Sequence, residues 1–252
     1  MTTASEIDVV SDGQVTSDVL LLGAAGNSGR LIAAELAARG LSVRLAGRRR
    51  GPLEDLARAL AADGATTDVR TVDVSDAASL AGAIAGVGVV LSTIGPFARQ
   101  AAPVIDACLA AGVPYVDIAN EWPAVRGLLD RDEQARAHAV TLVTGAGFGP
   151  AATETLVLRL VERMGVVPDL VRVAAAAQVA RQSEVTGPDG HTVTAELRLG
   201  EGVRATAAIA AETTKRVLAG VKPGAWTAGQ LFGADLVTDA TGAQVTLNGQ
   251  PE

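Results

Sequence analysis

The chain has 252 residues, enough for one large domain or two small ones around a sizeable core. Hydrophobic residues make up 48% and charged residues 19%, which excludes a disordered chain; aromatics are only 2%, so Ala, Val and Leu must build the core. The net charge of −7 argues against a general nucleic-acid or anionic-membrane surface, both of which favour a basic face.

The opening "MTTASEIDVVSDGQV" is polar and acidic. It lacks the basic start and apolar stretch of a signal peptide and is expected to form a loose arm up to residue 16. No apolar run approaches the roughly 20 residues needed to cross a bilayer. The single Cys108 cannot form an intramolecular disulfide, so a reducing cytoplasmic setting is expected.

Residues 19–22 are a continuous apolar run, as in a strand buried on both faces. Residues 27–39 have helical apolar spacing and end at Gly40, a candidate C-cap. "LSVRLAG" predicts a second strand, and Pro52 suits the first turn of a helix running to Gly64. "TTDVRTVDV" predicts a third strand, with Asp76 capping a short helix to Ile84. "VGVVLSTIG" is a fourth strand, 101–111 a helix, and "PYVDIAN" a fifth strand. Residues 121–139 are helical and "VTLVTGAG" is a sixth strand. Strands and helices alternating six times over about 145 residues predict an α/β fold: a Rossmann-type, doubly wound parallel sheet.

The pattern changes after Pro150. A helix at 151–164 is followed by two long strand patterns, "DLVRVAAAAQVARQSEV" and "HTVTAELRLGEGV", split by the turn "TGPDGH". This predicts a hairpin and a second, smaller α+β lobe. Residues 205–219 are helical, and "TDATGAQVTLNG" predicts a terminal hairpin turning at Thr241–Gly242. The expected organisation is a dinucleotide-binding domain at 17–150, a small substrate or dimerisation lobe at 151–204, and a segment at 205–252 returning to the first domain.

Gly23-x-x-Gly26-x-x-Gly29 lies directly after the first strand and opens the first helix. Gly23 can make the tight turn, Gly26 can let backbone approach a pyrophosphate, and Gly29 can let helix and strand pack closely. The free N–H groups of that helix start, including Asn27 and Ser28, favour an anion; the alternative is a turn without a ligand. At the end of the second strand stands Ala46-Gly47-Arg48-Arg49-Arg50, with no carboxylate before Glu54. An acidic residue there selects NAD, whereas an Arg accommodates the 2′-phosphate of NADP. Arg48 and Arg49 can form a charge-assisted clamp or be a solvated basic loop. Asp73, ending the third strand, either faces the adenine or caps the next turn. "STIGPF" leaves the fourth strand: Ser92, Thr93, Gly95 and Pro96 would hold backbone against the cofactor and Phe97 would cover it, unless the segment is a plain Gly-Pro turn.

"GAAGNSGRLIAAELAARG", "LAGRRRGPLEDLA", "STIGPFARQAAPVIDACLAAGVPYVDIANE" and "VTGAGFGPAATE" together resemble the NADP-binding half of saccharopine dehydrogenase-like oxidoreductases. That group includes saccharopine reductases and the trans-acting enoyl reductases of bacterial lipid biosynthesis. The resemblance covers about residues 18–150, with a weaker echo in "VKPGAWTAGQLFGADL". It implies NADPH at Gly23, Gly26, Gly29, Arg48, Ser92, Gly95, Pro96 and Phe97. Full-length relatives have a much larger second domain carrying the substrate site, so substrate and reaction type do not transfer. The short lobe is expected to build a homodimer instead.

For the chemistry, Tyr115, Asp117, Asn120 and Glu121 cluster at the end of the fifth strand, where open α/β sheets bind ligands. Glu121 is a candidate general acid or a cap of the following helix. Asp117 reads as structural. Tyr115 lacks a Lys four residues on, where Ala119 stands, so the short-chain dehydrogenase pair is absent. His138 reads as surface, and His191, after the hairpin turn, is the other acid candidate. No Cys/His cluster has metal-ligand spacing, so no metal is expected. The leading reading is an NADPH-dependent reductase of a C=O, C=N or C=C bond in a small metabolite, in specialised biosynthesis. The alternatives are a non-redox cyclase or isomerase on the same fold and a non-catalytic NADPH-binding protein.

Overall fold

The computed structural model describes residues 17–176 and 180–251. Its first part alternates β1 (Ser17–Leu22), α1 (Asn27–Ala38), β2 (Val43–Gly47), α2 (Arg50–Ala62), β3 (Thr67–Thr71), α3 (Ala77–Ile84), β4 (Val87–Ser92), α4 (Phe97–Ala111), β5 (Tyr115–Asp117), α5 (Trp122–Leu129), α6 (Asp132–Ala137) and β6 (Thr141–Thr144). A seventh strand, β10 (Gly224–Thr227), joins from the C-terminal region, giving the order β10-β6-β5-β4-β1-β2-β3 with parallel neighbours throughout. The order reverses between β1 and β4, which are paired in register at Leu22 and Ser92. A crevice opens there beyond the carboxyl ends of the strands, the usual ligand seat of such sheets.

The period-two alternation of the strands decides the two cores. Val19 and Leu21 of β1 point to the side covered by α1 and α8 (Gly202–Leu218), whereas Leu20 and Leu22 point to the side of α3 and α4. Ile32 and Leu36 of α1 seal the first face; Leu80, Ile84, Val104 and Ile105 seal the second. Arg44 of β2 is a buried exception. Its Nε bonds Asp68 at 3.0 Å, and its Nη1 donates at 2.8 Å to the carbonyls of Ala83 and Ala85. The cation thus sits on the C-terminal carbonyls of α3, where a helix end favours positive charge.

The region predicted as one helix over 121–139 is two helices, α5 and α6. The break at Asp130–Arg131 lets α6 turn toward β10, where Asp132 accepts the Ala225 N–H at 2.9 Å.

After β6, α7 (Phe148–Met164) carries the chain to a five-stranded antiparallel sheet, in the order β12-β11-β9-β8-β7. The run predicted as one long strand is two: β7 (Leu170–Ala176) pairs antiparallel with β8 (Ala180–Thr186), which pairs with β9 (Thr192–Arg198). The turn expected at Thr241–Gly242 is the end of a helix, α10 (Leu236–Thr241), with Gly242 as its left-handed cap at φ +66°. The actual terminal turn lies at Asn248–Gly249, between β11 (Gln244–Leu247) and β12 (Gln250–Pro251). The C-terminal segment therefore divides: α8 and β10 join the parallel part, while β11 pairs with β9 of the second sheet. Val185, Val193, Leu197 and Val245 face α7 and belong to the same core as Val19 and Leu21. The second sheet is thus covered on one face by its own chain, and the premise of a bare hairpin is corrected.

Candidate functional site

A cavity of about 500 Å³ occupies the crevice at the switch point. Its wall is built from four strand ends: Gly23, Ala25 and Gly26 after β1; Gly47, Arg48 and Arg49 after β2; Val72 to Ser75 after β3; and Thr93 to Gly95 after β4. Gln100, in the first turns of α4, completes it.

The three glycines have different reasons to be glycine. Gly23 has φ +81°, and a Cβ on it would lie 2.5 Å from Thr93 Oγ1. A Cβ on Gly29 would lie 2.2 Å from the carbonyl oxygen of Gly23. Both are required by packing alone. Gly26 has an ordinary extended backbone, φ −75° and ψ 172°, and a Cβ there would meet only Gly23 O, at 3.2 Å. A side chain at Gly26 would instead fill the cavity. Gly26 is also the N-cap of α1. No side chain caps this helix, and no acidic residue stands in its first turn, where Asn27 and Ser28 begin the helix. Helix N–H groups and the positive dipole end are left facing the crevice, a seat for a phosphate.

Arg48 and Arg49 line the cavity and are exposed; neither forms an ion pair with a described residue, whereas Arg50 pairs with Glu54 at 2.6 Å. Asp73 lines the same wall. Its carboxylate accepts Ser75 N at 2.9 Å and Ser75 Oγ at 2.7 Å. These bonds, with a smaller contribution from Arg48, hold its pKa below the usual carboxylate value. Asp73 therefore combines the two roles weighed for it, turn closure and cavity wall.

At the end of β4 the alternation separates neighbours. Thr93 lines the cavity and donates to Leu22 O at 2.9 Å, while Ser92 is buried on the opposite side and lies outside the wall. Gly95 and Pro96, joined by a cis peptide bond, lead into α4. Phe97, expected to cover a cofactor, is packed in the core beside Leu22 and Val104. As the first residue of α4 it is turned under the helix.

Of the acid candidates, Glu121 is committed to α4. Its Oε1 accepts Phe97 N and its Oε2 accepts Ala98 N, both at 3.0 Å. It caps α4 across the crevice rather than α5, which it precedes. Tyr115 is fully buried and donates its hydroxyl to Asp117 at 3.1 Å; burial pushes its pKa well up. Asp117 is buried as well and also accepts from Thr144 Oγ1 (2.7 Å), Ala119 N (3.0 Å) and Gly145 N (3.2 Å). This ties the end of β5 to that of β6. Burial raises the Asp117 pKa, against the lowering effect of these bonds. His191 is exposed at the β8–β9 turn. That turn abuts the C-terminal end of α7, since a Cβ on Gly187 would meet Met164 Sδ at 3.1 Å. The crevice lies at the other end of this 17-residue helix, about 25 Å away at 1.5 Å per residue. The fold does not bring His191 to Tyr115 and Glu121. Gln100, Ser75 and Ile94 are wall residues that the sequence reading passed over; Gln100 stood in the quoted "GPFARQ", three residues beyond Phe97.

Residues 19–143 match the saccharopine dehydrogenase NADP-binding domain. A trans-acting enoyl reductase of Mycobacterium bovis (strain BCG / Pasteur 1173P2) is 32% identical over 149 residues, covering 58% of this chain and 36% of the relative. A putative trans-acting enoyl reductase of Mycobacterium tuberculosis (strain ATCC 25618 / H37Rv) is 33% identical over 146 residues, covering 57% and 35%. The chain thus spans about a third of the length of these relatives. Among solved structures, apo histidine-tagged saccharopine dehydrogenase (L-Glu forming) from Saccharomyces cerevisiae aligns with a TM-score of 0.49 and 22% identity, covering 62% of this chain and 33% of that one.

Proposed function

Because the chain belongs, through residues 19–143, to the saccharopine dehydrogenase NADP-binding family, we propose that it is an NADPH-dependent reductase acting on a C=O, C=N or C=C bond of a small metabolite in a biosynthetic setting, in the cytoplasm. NADPH would supply the hydride. The chain's own residues bind and orient: the first turn of α1 takes the pyrophosphate, and Arg48 with Arg49 takes the 2′-phosphate. The turn held by Glu121 shapes the wall beyond. The observation that carries this reading is the uncapped start of α1 beside two arginines that no described carboxylate pairs. Losing one charge-assisted contact predicts that Arg48→Ala weakens NADPH binding by about 10- to 150-fold and leaves NADH binding unchanged. Titration of both proteins with both cofactors checks it; equal wild-type affinity for NADPH and NADH contradicts it.

The homodimer reading narrows to one strand of residues 168–204. β7 ends the second sheet, and its Val171 and Val173 share the core-facing side with Val185 and Ser183 but stay 41% and 46% exposed. Pairing with a second β7 would cover both and complete the ladder. Light scattering at micromolar concentration decides it; a mass near 25 kDa contradicts it.

A further inference from the structure

Arg181 stands where the register of the second sheet calls for an apolar side chain. It pairs with Leu197 of β9 and alternates along β8 with Ser183 and Val185, which are buried against α7. A charged group on that side of a sheet is costly unless compensated. Its guanidinium lies over the ring of Phe148, 3.9 Å from the centroid, a favourable cation–π position, and partial burial lowers its pKa.

A chain of contacts runs from there to the cofactor cavity. Phe148 begins α7, just beyond the end of β6. The next residue, Gly149, sits against Asn120 at the end of β5, whose Cβ a methyl at Gly149 would meet at 3.8 Å. Asn120 adjoins Glu121, whose carboxylate holds the N–H groups of Phe97 and Ala98, and Gly95 of that turn lines the cavity. Arg181 is therefore the cation that the second sheet brings to the β5–β6 end of the crevice, away from Arg48.

We propose that Arg181 binds the carboxylate of an acidic acceptor and so sets which substrates the crevice accepts. This rests on the reductase reading above. The planar fork of a guanidinium matches the two oxygens of a carboxylate. Its five N–H donors let it take a ligand while keeping contacts to the protein. Trp122, 70% exposed and following Glu121 on the same rim, offers a fluorescent reporter.

The test titrates the full chain, with and without saturating NADPH, against acetate, succinate and 2-oxoglutarate, with inorganic phosphate and neutral succinamide as comparisons. Calorimetry and tryptophan fluorescence read binding. The expected result is saturable binding of at least one carboxylate, no binding of succinamide, and a loss of about 10-fold or more in Arg181→Gln with NADPH affinity unchanged. Arg181→Lys, which keeps the charge but not the fork, falls between. The proposal is overturned if no carboxylate binds wild type, if Arg181→Gln binds it equally, or if phosphate binds more tightly than every carboxylate. Failure of NADPH to bind would sink the reductase reading, while the arms without NADPH still decide Arg181.

Discussion

Two helices begin at the same edge of the parallel sheet and are finished in opposite ways. The N-terminus of α4 is closed by a carboxylate of its own chain, Glu121, on the N–H groups of Phe97 and Ala98. The N-terminus of α1, across the switch point, has no side-chain cap and no acidic residue in its first turn. Both helices present the same unsatisfied donors and the same dipole. Where the protein supplies the anion, the helix end is structure. Where it supplies only glycine and an open cavity, the helix end is a binding site awaiting an anion from outside. The contrast also separates Glu121 from the acid role: its two oxygens are already in use.

The largest effect that would sharpen this contrast is within the glycine loop. Gly29→Ala puts a methyl 2.2 Å from a backbone oxygen, so it should destabilise the fold by at least about 3 kcal/mol, the upper part of the range for overpacking. Gly26→Ala meets only one atom, at 3.2 Å, and should cost less than about 1 kcal/mol. Urea unfolding of both variants checks the pair; equal losses would mean that Gly26 too is held by packing.

A smaller effect is expected at the closed end. Glu121→Ala strips the cap from α4 and should cost about 1–2 kcal/mol, with NADPH affinity within a few-fold of wild type. A variant as stable as wild type but without reductase activity would break the comparison and return Glu121 to catalysis.

The smallest effect is a slope. Burial raises the Asp117 pKa, so the native state holds its proton to higher pH than the unfolded chain, whose value is near 3.9. Stability from this group is therefore present below the unfolded value and declines as pH rises toward the raised one, then levels off. Unfolding of wild type and Asp117→Asn between pH 3.5 and 7 should differ in that slope; parallel curves would show Asp117 to be unperturbed.

How much of this was legible in the sequence follows from locality. The parallel sheet was, because each βα unit carries its own apolar period and its own punctuation, from Gly23 to Gly40 and onward. Asp76 as the cap of α3 was also legible, since donor and acceptor lie two residues apart. The second sheet was not: β11 and β9 are joined by a pairing some fifty residues long in sequence, and alanine-rich "VRVAAAAQVA" gives no sign of where a strand reverses. At the site, Gly23, Gly26, Arg48, Asp73 and Gly95 were readable because strand ends converge by rule. Ser92, Phe97 and His191 were misplaced for reasons the sequence hides: the first two by which side of a turn faces inward, the last by the length of α7. The bond from Glu121 to Phe97 spans 24 residues, and no local pattern announces it.

The central claim is that the open end of α1 is a phosphate seat. Calorimetric titration of wild type and Gly26→Val with NADPH tests it most directly, with circular dichroism confirming that the variant folds. The account predicts saturable binding to wild type and none to the folded variant. Normal NADPH binding by folded Gly26→Val would contradict it and leave the loop only a turn.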